Sequence, residues 1–317
     1  MQYVIRRLTL LVPTIFLVMA TVFVLIRLVP GDVVSLLVAD QNVTTQDADR
    51  LREDLGLDRP VPVQFVDFYG DMLTGKFGNS IWTGESVLGE FGDRAPVTLQ
   101  LALMAAIFSV LLGVPLGIIS ALQQDRWPDY ILRSVAILGL SVPGFWLGTL
   151  AIVLPAVWWQ YSPPLTYVSP FADPWDNFRQ FVVPSFIMSL YLSSVLMRMT
   201  RSMMLEVMRQ DYVRTARAKG VREGTVVVRH ALRNGLIPVV TIFGTQFAVL
   251  LGGTVIFEVI FNLQGIGRYV FLAVSQRDYP VIQTVNVILA LAVLGVNFLV
   301  DMSYAYLDPR TRAGMTS

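Results

Sequence analysis

Chemistry at a protein site needs nucleophiles, acid–base groups or metal ligands, and this chain of 317 residues offers few such groupings. It has no cysteine and one histidine, His230. Thiolate nucleophiles, disulfide frameworks and Cys- or His-based metal clusters are therefore excluded, and any Ser/His arrangement would have to use His230. A phosphate-binding loop is approached at Gly70-Asp71-Met72-Leu73-Thr74-Gly75-Lys76-Phe77, one residue away from GxxxxGK[ST]. That pattern works because backbone N–H groups cradle phosphates while a hydroxyl after the lysine binds Mg²⁺. Phe77 stands where the hydroxyl must be, and no apolar strand precedes the loop. No nucleotide site of the chain's own is expected.

Two other polar groupings carry the interest. Asp211, Tyr212, Val213, Arg214, Thr215, Ala216, Arg217, Ala218, Lys219 and Gly220 read as a short helix with an acidic start, helix-forming residues and a glycine stop. A basic loop, a helix bound to lipid headgroups and a docking surface for another subunit all fit those residues. Near the carboxyl end, Asn286 and Asn297 lie eleven residues apart, about three helical turns, with Gln283 close to the same face. Within lipid such a face must meet protein or a water-filled cavity, so it implies interhelical hydrogen bonds or a translocation pathway.

The elements that position these groups follow from composition. Apolar residues make up 54% of the chain and charged residues 15%, against about 25% charged in soluble domains. Much of the surface must face something other than water. A hydrocarbon core about 30 Å thick needs about 20 apolar residues in helix. Six stretches qualify: Leu8 to Ile26, Ala95 to Gln124, Ser134 to about Gln160, Gln180 to Met197, Asn234 to Phe257 and Tyr279 to Val300. The first is too long for a signal-peptide core and lacks a cleavage site, so it is expected to be a retained helix. No ionisable residue lies deep in any span, which disfavours a proton-driven carrier.

Charge sorts the loops. With the amino terminus in the cytoplasm, fifteen of the twenty-four Lys and Arg fall inside, nine of them between Arg198 and Arg233, and sixteen of the twenty-three acids fall outside. Basic residues near span ends set orientation, so both termini are expected inside. Residues 1–28 then form an amino-terminal spanning helix, 29–94 an external segment, and 95–317 a five-helix core with an inner loop at 198–235. In the external segment Thr45 to Leu57 reads as a capped helix stopped by Gly56. Phe65, Phe68, Tyr69, Met72 and Leu73 suggest a small cap on the outer face. Ala105, Ser109, Gly113, Gly117 and Ala121 in the second span, and Ser185, Ser189 and Ser193 in the fourth, form stripes of small residues at four-residue spacing. Such stripes favour close helix packing over substrate contact.

Thr215 to Gly220 (TARAKG) followed by His230 to Thr241 (HALRNGLIPVVT) resembles the cytoplasmic EAA loop of permease subunits of binding-protein-dependent ABC importers, in the version of the dipeptide/oligopeptide/nickel permease family. The resemblance runs along nearly the whole chain. It includes Pro30-Gly31-Asp32, Gly75-Lys76-Phe77-Gly78-Asn79-Ser80, Arg94-Ala95-Pro96-Val97-Thr98-Leu99 and Ser141-Val142-Pro143-Gly144-Phe145-Trp146. It continues through Leu251-Gly252-Gly253 to Glu258-Val259-Ile260-Phe261, then Gly265-Ile266-Gly267-Arg268, Arg277-Asp278-Tyr279-Pro280 and Leu307-Asp308-Pro309-Arg310. Arg214 and Thr215 depart from the acid and first alanine of the general EAA pattern, its proline comes later, at Pro238, and Leu263-Gln264 replaces a frequent Trp-Pro.

The resemblance implies an all-α integral membrane protein with six transmembrane helices in the inner (plasma) membrane of a bacterium or archaeon. It implies a non-catalytic subunit paired with a second homologous permease, two cytoplasmic ABC ATPases that bind ATP and Mg²⁺, and an external substrate-binding protein. The segment Asp211 to Gly220 would then be the coupling helix, with Ala216 and Gly220 on the loop's alanine and glycine. The cargo would be a peptide or related small solute, and no nucleic-acid partner is expected. A secondary transporter or channel working alone and a membrane receptor are the alternatives.

Overall fold

The computed structural model describes residues 2–28, 33–39, 45–160, 164 and 166–307. They are almost entirely helical: α1 (Gln2–Leu28), α2 (Val33–Ala39), α3 (Thr45–Asp54), α4 (Val61–Thr74), α5 (Val87–Leu122), α6 (Trp127–Ser141), α7 (Gly144–Trp159), α8 (Pro174–Met208), α9 (Asp211–Ala218), the single turn α10 (Glu223–Thr225), a π-helical segment Val226–Leu232, α11 (Arg233–Ile260), α12 (Ile266–Gln276) and α13 (Tyr279–Leu307). Among the described residues, α5, α8, α11 from Pro238 and α13 to Phe298 are each long and apolar enough to cross a membrane, and α6 with α7 makes a fifth, broken span. The first expected span falls on α1, whose apolar described part is Val12–Leu28.

The third span is not the single helix from Ser134 to Gln160 that its apolar run predicts. It starts earlier, at Trp127, and is bent by 89° between Ser141 and Gly144. Pro143 has no N–H to donate and forces the residue before it out of the helical region. Val142 (φ −84°, ψ 123°) and Pro143 (φ −63°, ψ 127°) are accordingly both extended. Two other helices outrun their apolar stretches: α5 has 36 residues and α8 has 35. At 1.5 Å per residue each reaches about 50 Å, well past the hydrocarbon.

Contacts divide the chain into two compact units. One comprises Met1–Pro96 with Gly265–Gly295, the other Val97–Gln264 with Val296–Ser317.

In the first unit, segments far apart in sequence are joined. The Ser80 hydroxyl donates to the buried Asp278 carboxylate (2.5 Å), Trp82 Nε1 donates to the Gln276 carbonyl (2.9 Å), and Thr284 Oγ1 donates to the Phe77 carbonyl (2.9 Å). The Tyr269 hydroxyl donates to Glu90 (2.5 Å), while Arg94 pairs with Glu90 and covers the Tyr269 ring. Burial and the adjacent carboxylate push the Tyr269 hydroxyl above its ordinary range. Helix α3 ends at Asp54 with Gly56 in the turn beyond it, close to the expected stop. Helix α4 lies antiparallel along α1 instead of forming a separate cap. Arg27 meets Gln64, Phe23 meets Phe65 and Phe68, and the Tyr69 hydroxyl donates to the Phe16 carbonyl. The reason is the aromatic face Phe65, Phe68 and Tyr69, which finds its apolar complement on α1.

The second unit is built around α8. Phe181, Met188, Leu192 and Leu196 pack with Leu101, Ala105, Val239 and Leu250 of α5 and α11. The small-residue stripes sit at these contacts. A Cβ on Gly113 would lie 2.7 Å from the Ser193 carbonyl, and one on Gly117 would lie 2.6 Å from the Met197 carbonyl. Ser109, Ser189 and Ser193 return their hydroxyls to carbonyls of their own helices (2.7 to 2.9 Å), so they are small and satisfied at once. Helix α7 approaches α11 through Gly144 and Gly148, which face Phe257 and Phe261. Glu258, one residue beyond the fifth apolar stretch, is fully buried and accepts a hydrogen bond from Thr98 (2.7 Å).

Gly113→Val and Gly117→Val are each expected to lower thermal stability in detergent by about 1–3 kcal/mol through overpacking. Gly252→Ala, where a Cβ meets nothing within 4 Å, should leave it unchanged. Equal melting of all three would show that α5 and α8 do not approach as described.

Candidate functional site

The basic segment after α8 folds as expected into a short helix, α9, and its details show what it can do. The turn from α8 is tight, with Arg209 N–H on Glu206 O and Gln210 N–H on Val207 O. Helix α9 then shows two faces. Val213 and Ala216, three residues apart, are buried against Val207, Met208, Val221 and Val226. Asp211, Tyr212, Arg214, Thr215, Arg217, Ala218, Lys219 and Gly220 are exposed. Ala216 is therefore part of the seat of the helix and not of its outer surface. Arg214 pairs with Asp211 (3.6 Å) along the exposed face, and Thr215 Oγ1 returns to the Asp211 carbonyl (2.9 Å).

The helix stops where the glycine predicts. Gly220 adopts φ +77°, its N–H donates to Arg217 O (2.9 Å), and Val221 N–H donates to Ala216 O (3.3 Å). This is the paired closure in which a left-handed residue satisfies the last carbonyls, with the Val221–Ala216 contact beneath it. Only glycine takes that conformation without strain. Arg217 then reaches forward to Glu223 through two bonds (2.6 and 3.1 Å). The guanidinium holds the Glu223 carboxyl below its ordinary range, and the carboxylate raises Arg217. From Val226 to Leu232 the chain winds as a π-helix into α11, with Val226, Val227 and Ala231 buried. His230 lies in this segment.

Along α8, ten residues before α9 begins, lies an interaction that neither apolar runs nor motifs indicate. Asp129, at the start of α6, is fully buried and receives two hydrogen bonds from Arg201 of α8: Nε to Oδ1 at 2.8 Å and Nη2 to Oδ2 at 2.7 Å. The Ser120 hydroxyl of α5 and the Asp125 backbone N–H complete the carboxylate's shell. One carboxylate thus ties together α5, α6, the loop between them and α8, the helix that carries α9. The available signal was weak: an acid at a helix start and an arginine just past the fourth apolar stretch, 72 residues apart.

The other sequence candidates lie on α13. Gln283, Asn286 and Asn297 are all partly buried. Asn286 Nδ2 donates to the Ile282 carbonyl of its own helix (2.7 Å), which satisfies one N–H without a neighbouring helix. Gln283 opens onto a cavity of about 600 Å³ that it shares with Arg27 and Tyr279. The near phosphate-loop motif is not a loop: Gly70 to Thr74 complete α4, and Gly75 (φ +75°) ends it, so no backbone cradle exists there.

Long apolar helices in close contact through small residues, with a two-faced surface helix joined to the end of one of them, define a membrane-spanning subunit. The comparisons agree. Residues 113–313 match the family described as the binding-protein-dependent transport system inner membrane component, and residues 1–102 match the amino-terminal part of such components. The chain is 40% identical to the di/tripeptide transport system permease protein DppB of Pseudomonas aeruginosa, over 98% of this chain and 99% of that one. It is 39% identical to the glutathione transport system permease protein GsiC of Pectobacterium atrosepticum, over 98% and 99%. A chain of the MetNI methionine ABC transporter in inward facing conformations shares the fold with TM-score 0.57 at 16% identity, covering 70% of this chain and 97% of its own. A chain of an amino acid ABC transporter does so with TM-score 0.53 at 14% identity, covering 69% and 94%. This chain belongs to the family of inner membrane permease components of binding-protein-dependent ABC importers.

Asp129→Ala leaves the Arg201 guanidinium without its buried partner and is expected to lower thermal stability by about 3–5 kcal/mol. Adding Arg201→Met should recover much of that loss. A single variant as stable as the unaltered chain would remove the pair from its structural role.

Proposed function

We propose that the chain forms half of the translocation pathway of an ATP-driven importer of peptides or closely related small solutes, working by alternating access. Its curated relatives include permeases named for di/tripeptides and for glutathione, itself a tripeptide, which supports this cargo class. The second half of the pathway would be a homologous permease, cargo would arrive on an external binding protein, and ATP with Mg²⁺ would be bound and hydrolysed by two separate cytoplasmic subunits. The sorting of basic residues supports a cytoplasmic location for both termini and for α9.

The observation that carries the reading is α9. Its exposed face, with Tyr212, Arg214 and Lys219, is the contact surface for an ATPase, while Val213, Ala216 and the Gly220 turn hold it to the chain beneath. ATP binding draws the two ATPases together, and their displacement passes through α9 as a rigid-body shift. A partner moves the equilibrium only through contacts that differ between the two states. Beside α9, the π-segment after α10 is the region that must absorb the change. On α13, Gln283, Asn286 and Asn297 supply polar wall to the pathway, where cargo needs passing hydrogen bonds and not a tight site.

In proteoliposomes holding the permease pair, the ATPases and the binding protein, Gly220→Pro and Ala216→Trp are each expected to abolish ATP-driven dipeptide uptake. The chain should remain inserted and co-purify with the second permease. Uptake at the normal rate in either variant would overturn the assignment of α9. Uptake by the purified chain without ATPases would replace the importer reading with that of a transporter working alone.

A further inference from the structure

The broken third span leaves backbone groups open at membrane depth. Pro143 has no N–H, so the Gly139 carbonyl loses the donor that another turn of α6 would bring. Val142 N–H donates to the Leu138 carbonyl (2.9 Å), and the N–H groups of Trp146 and Leu147 both turn to the Pro143 carbonyl (3.1 and 3.3 Å). Among the described residues, the carbonyls of Gly139, Leu140, Ser141 and Val142 therefore receive no hydrogen bond, and the N–H groups of Gly144 and Phe145 find no acceptor. Helix α8 sets their level: a Cβ on Gly139 would lie 3.3 Å from the Leu190 carbonyl, and Leu190 is central in the apolar stretch Gln180 to Met197. Backbone left open at that depth must meet protein or line a cavity.

A cavity of about 430 Å³ lies there, walled by residues 139–145, by Met188 and Leu192 of α8 and by Gln246, Gly253 and Phe257 of α11, all within the second unit. Gly139 and Gly144 can line it only with main-chain atoms. Gln246 is partly buried, stands near the middle of the span Pro238–Ile260, and its amide makes no hydrogen bond among the described residues. Contacts with α8 place the amide and the break at similar heights. A Cβ on Gly139 would meet the Leu190 carbonyl and the Ser194 hydroxyl, while one on Gly253, seven residues after Gln246, would meet the Met188 side chain (3.8 Å). At 1.5 Å per residue, Gln246 and Gly139 then lie within about one helical turn of each other. No charged side chain lines the cavity, and most of its wall is Leu, Ile, Val, Phe and Met. Open acceptors, open donors and an apolar wall share one space.

We propose that this cavity is a resting site for cargo in which the peptide group itself is recognised. Its N–H donates to the freed carbonyls at the end of α6, its C=O accepts from the Gln246 amide, and an adjoining apolar side chain lies against Met188, Leu192 and Phe257. This rests on the reading of the chain as a subunit of a peptide importer and adds where that cargo is held. Every peptide bond outside proline carries one donor and one acceptor whatever its side chains, so a site of this kind accepts many sequences. A lipid chain could pair none of the open groups. The volume falls in the range of small-ligand sites.

The test uses the permease pair with its ATPases in nanodiscs, without the binding protein, and measures retention of radiolabelled alanyl-leucine by equilibrium dialysis. Gln246→Leu should weaken retention about tenfold. Thermal stability should hold or rise in this variant, because an unpaired amide leaves an apolar wall. The ester analogue of the dipeptide, in which oxygen replaces the peptide N–H, should bind the unaltered assembly about tenfold more weakly than the dipeptide. Undetectable retention by the unaltered assembly would overturn the proposal, as would equal retention by the variant or equal retention of dipeptide and ester. Separation of the permease pair on Gln246→Leu would assign the amide to the second permease and overturn it equally. ATP-driven dipeptide uptake by the unaltered assembly with its binding protein is measured alongside. Uptake without any effect of Gln246→Leu on retention removes only this site, whereas absence of uptake removes the importer reading beneath it.

Discussion

The buried pairing of Arg201 with Asp129 is the constraint on which the second unit's α9-bearing end depends. A carboxylate removed from water loses several kcal/mol of hydration unless every lone pair finds a donor. Here two guanidinium bonds, a serine hydroxyl and a backbone N–H provide them. The requirement is geometric: α5, the loop after it, α6 and α8 must all be in place together. Those ends therefore behave as one block, and α9 is joined to it by a link of only two residues, Arg209 and Gln210. On the α8 side, that link leaves α9 little freedom to move independently of the long helix that carries it.

Above this anchor, lipid changes what holds helices together. Hydrocarbon tails are as apolar as leucine, so burying leucine between helices gains little, and close van der Waals approach has to serve instead. That is why glycine and serine, poor in a soluble core, occupy the α5–α8 contact. Gly113 and Gly117 meet carbonyls directly, and the serines spend their hydroxyls on their own helices. The same close approach recurs where α7 meets Phe257 and Phe261 of α11. Packed surfaces of this kind have few intermediate arrangements, so helices joined this way shift as rigid bodies more readily than they deform.

The first unit uses a different device. Its parts come from the two ends of the sequence and are joined by side-chain hydrogen bonds to buried or partly buried groups: Ser80 to Asp278, Tyr269 to Glu90, Trp82 to the Gln276 carbonyl. Two of these residues, Ser80 and Asp278, stand in the motifs Gly75 to Ser80 and Arg277 to Pro280, whose purpose is not readable from either motif alone. Together they are the two halves of a clasp. Helix α4 belongs to the same unit, laid along α1 by its aromatic face.

Much of the architecture was legible because it rests on properties summed over neighbouring residues. Hydropathy marked the apolar helices, their order and the loops between them. The dipole-compatible start at Asp211 and the glycine at 220 marked α9, since capping is decided within one turn. Four-residue spacing of small side chains marked the packed faces of α5 and α8. What the chain alone did not disclose was every feature set by residues meeting across distance. Pro143 announces no break, because proline is tolerated in spanning helices when neighbours satisfy the freed groups, and the extended pair at Val142 and Pro143 only shows as an 89° bend in three dimensions. Asp129 and Arg201 read as two loop charges until their helices converge. Ala216 reads as part of a contact surface until Val226 and Val221 are seen beneath it. Local free energies write the helices into the sequence, but which side chains must share a charge, a ring or a carbonyl depends on approach in space, and only the folded chain decides that.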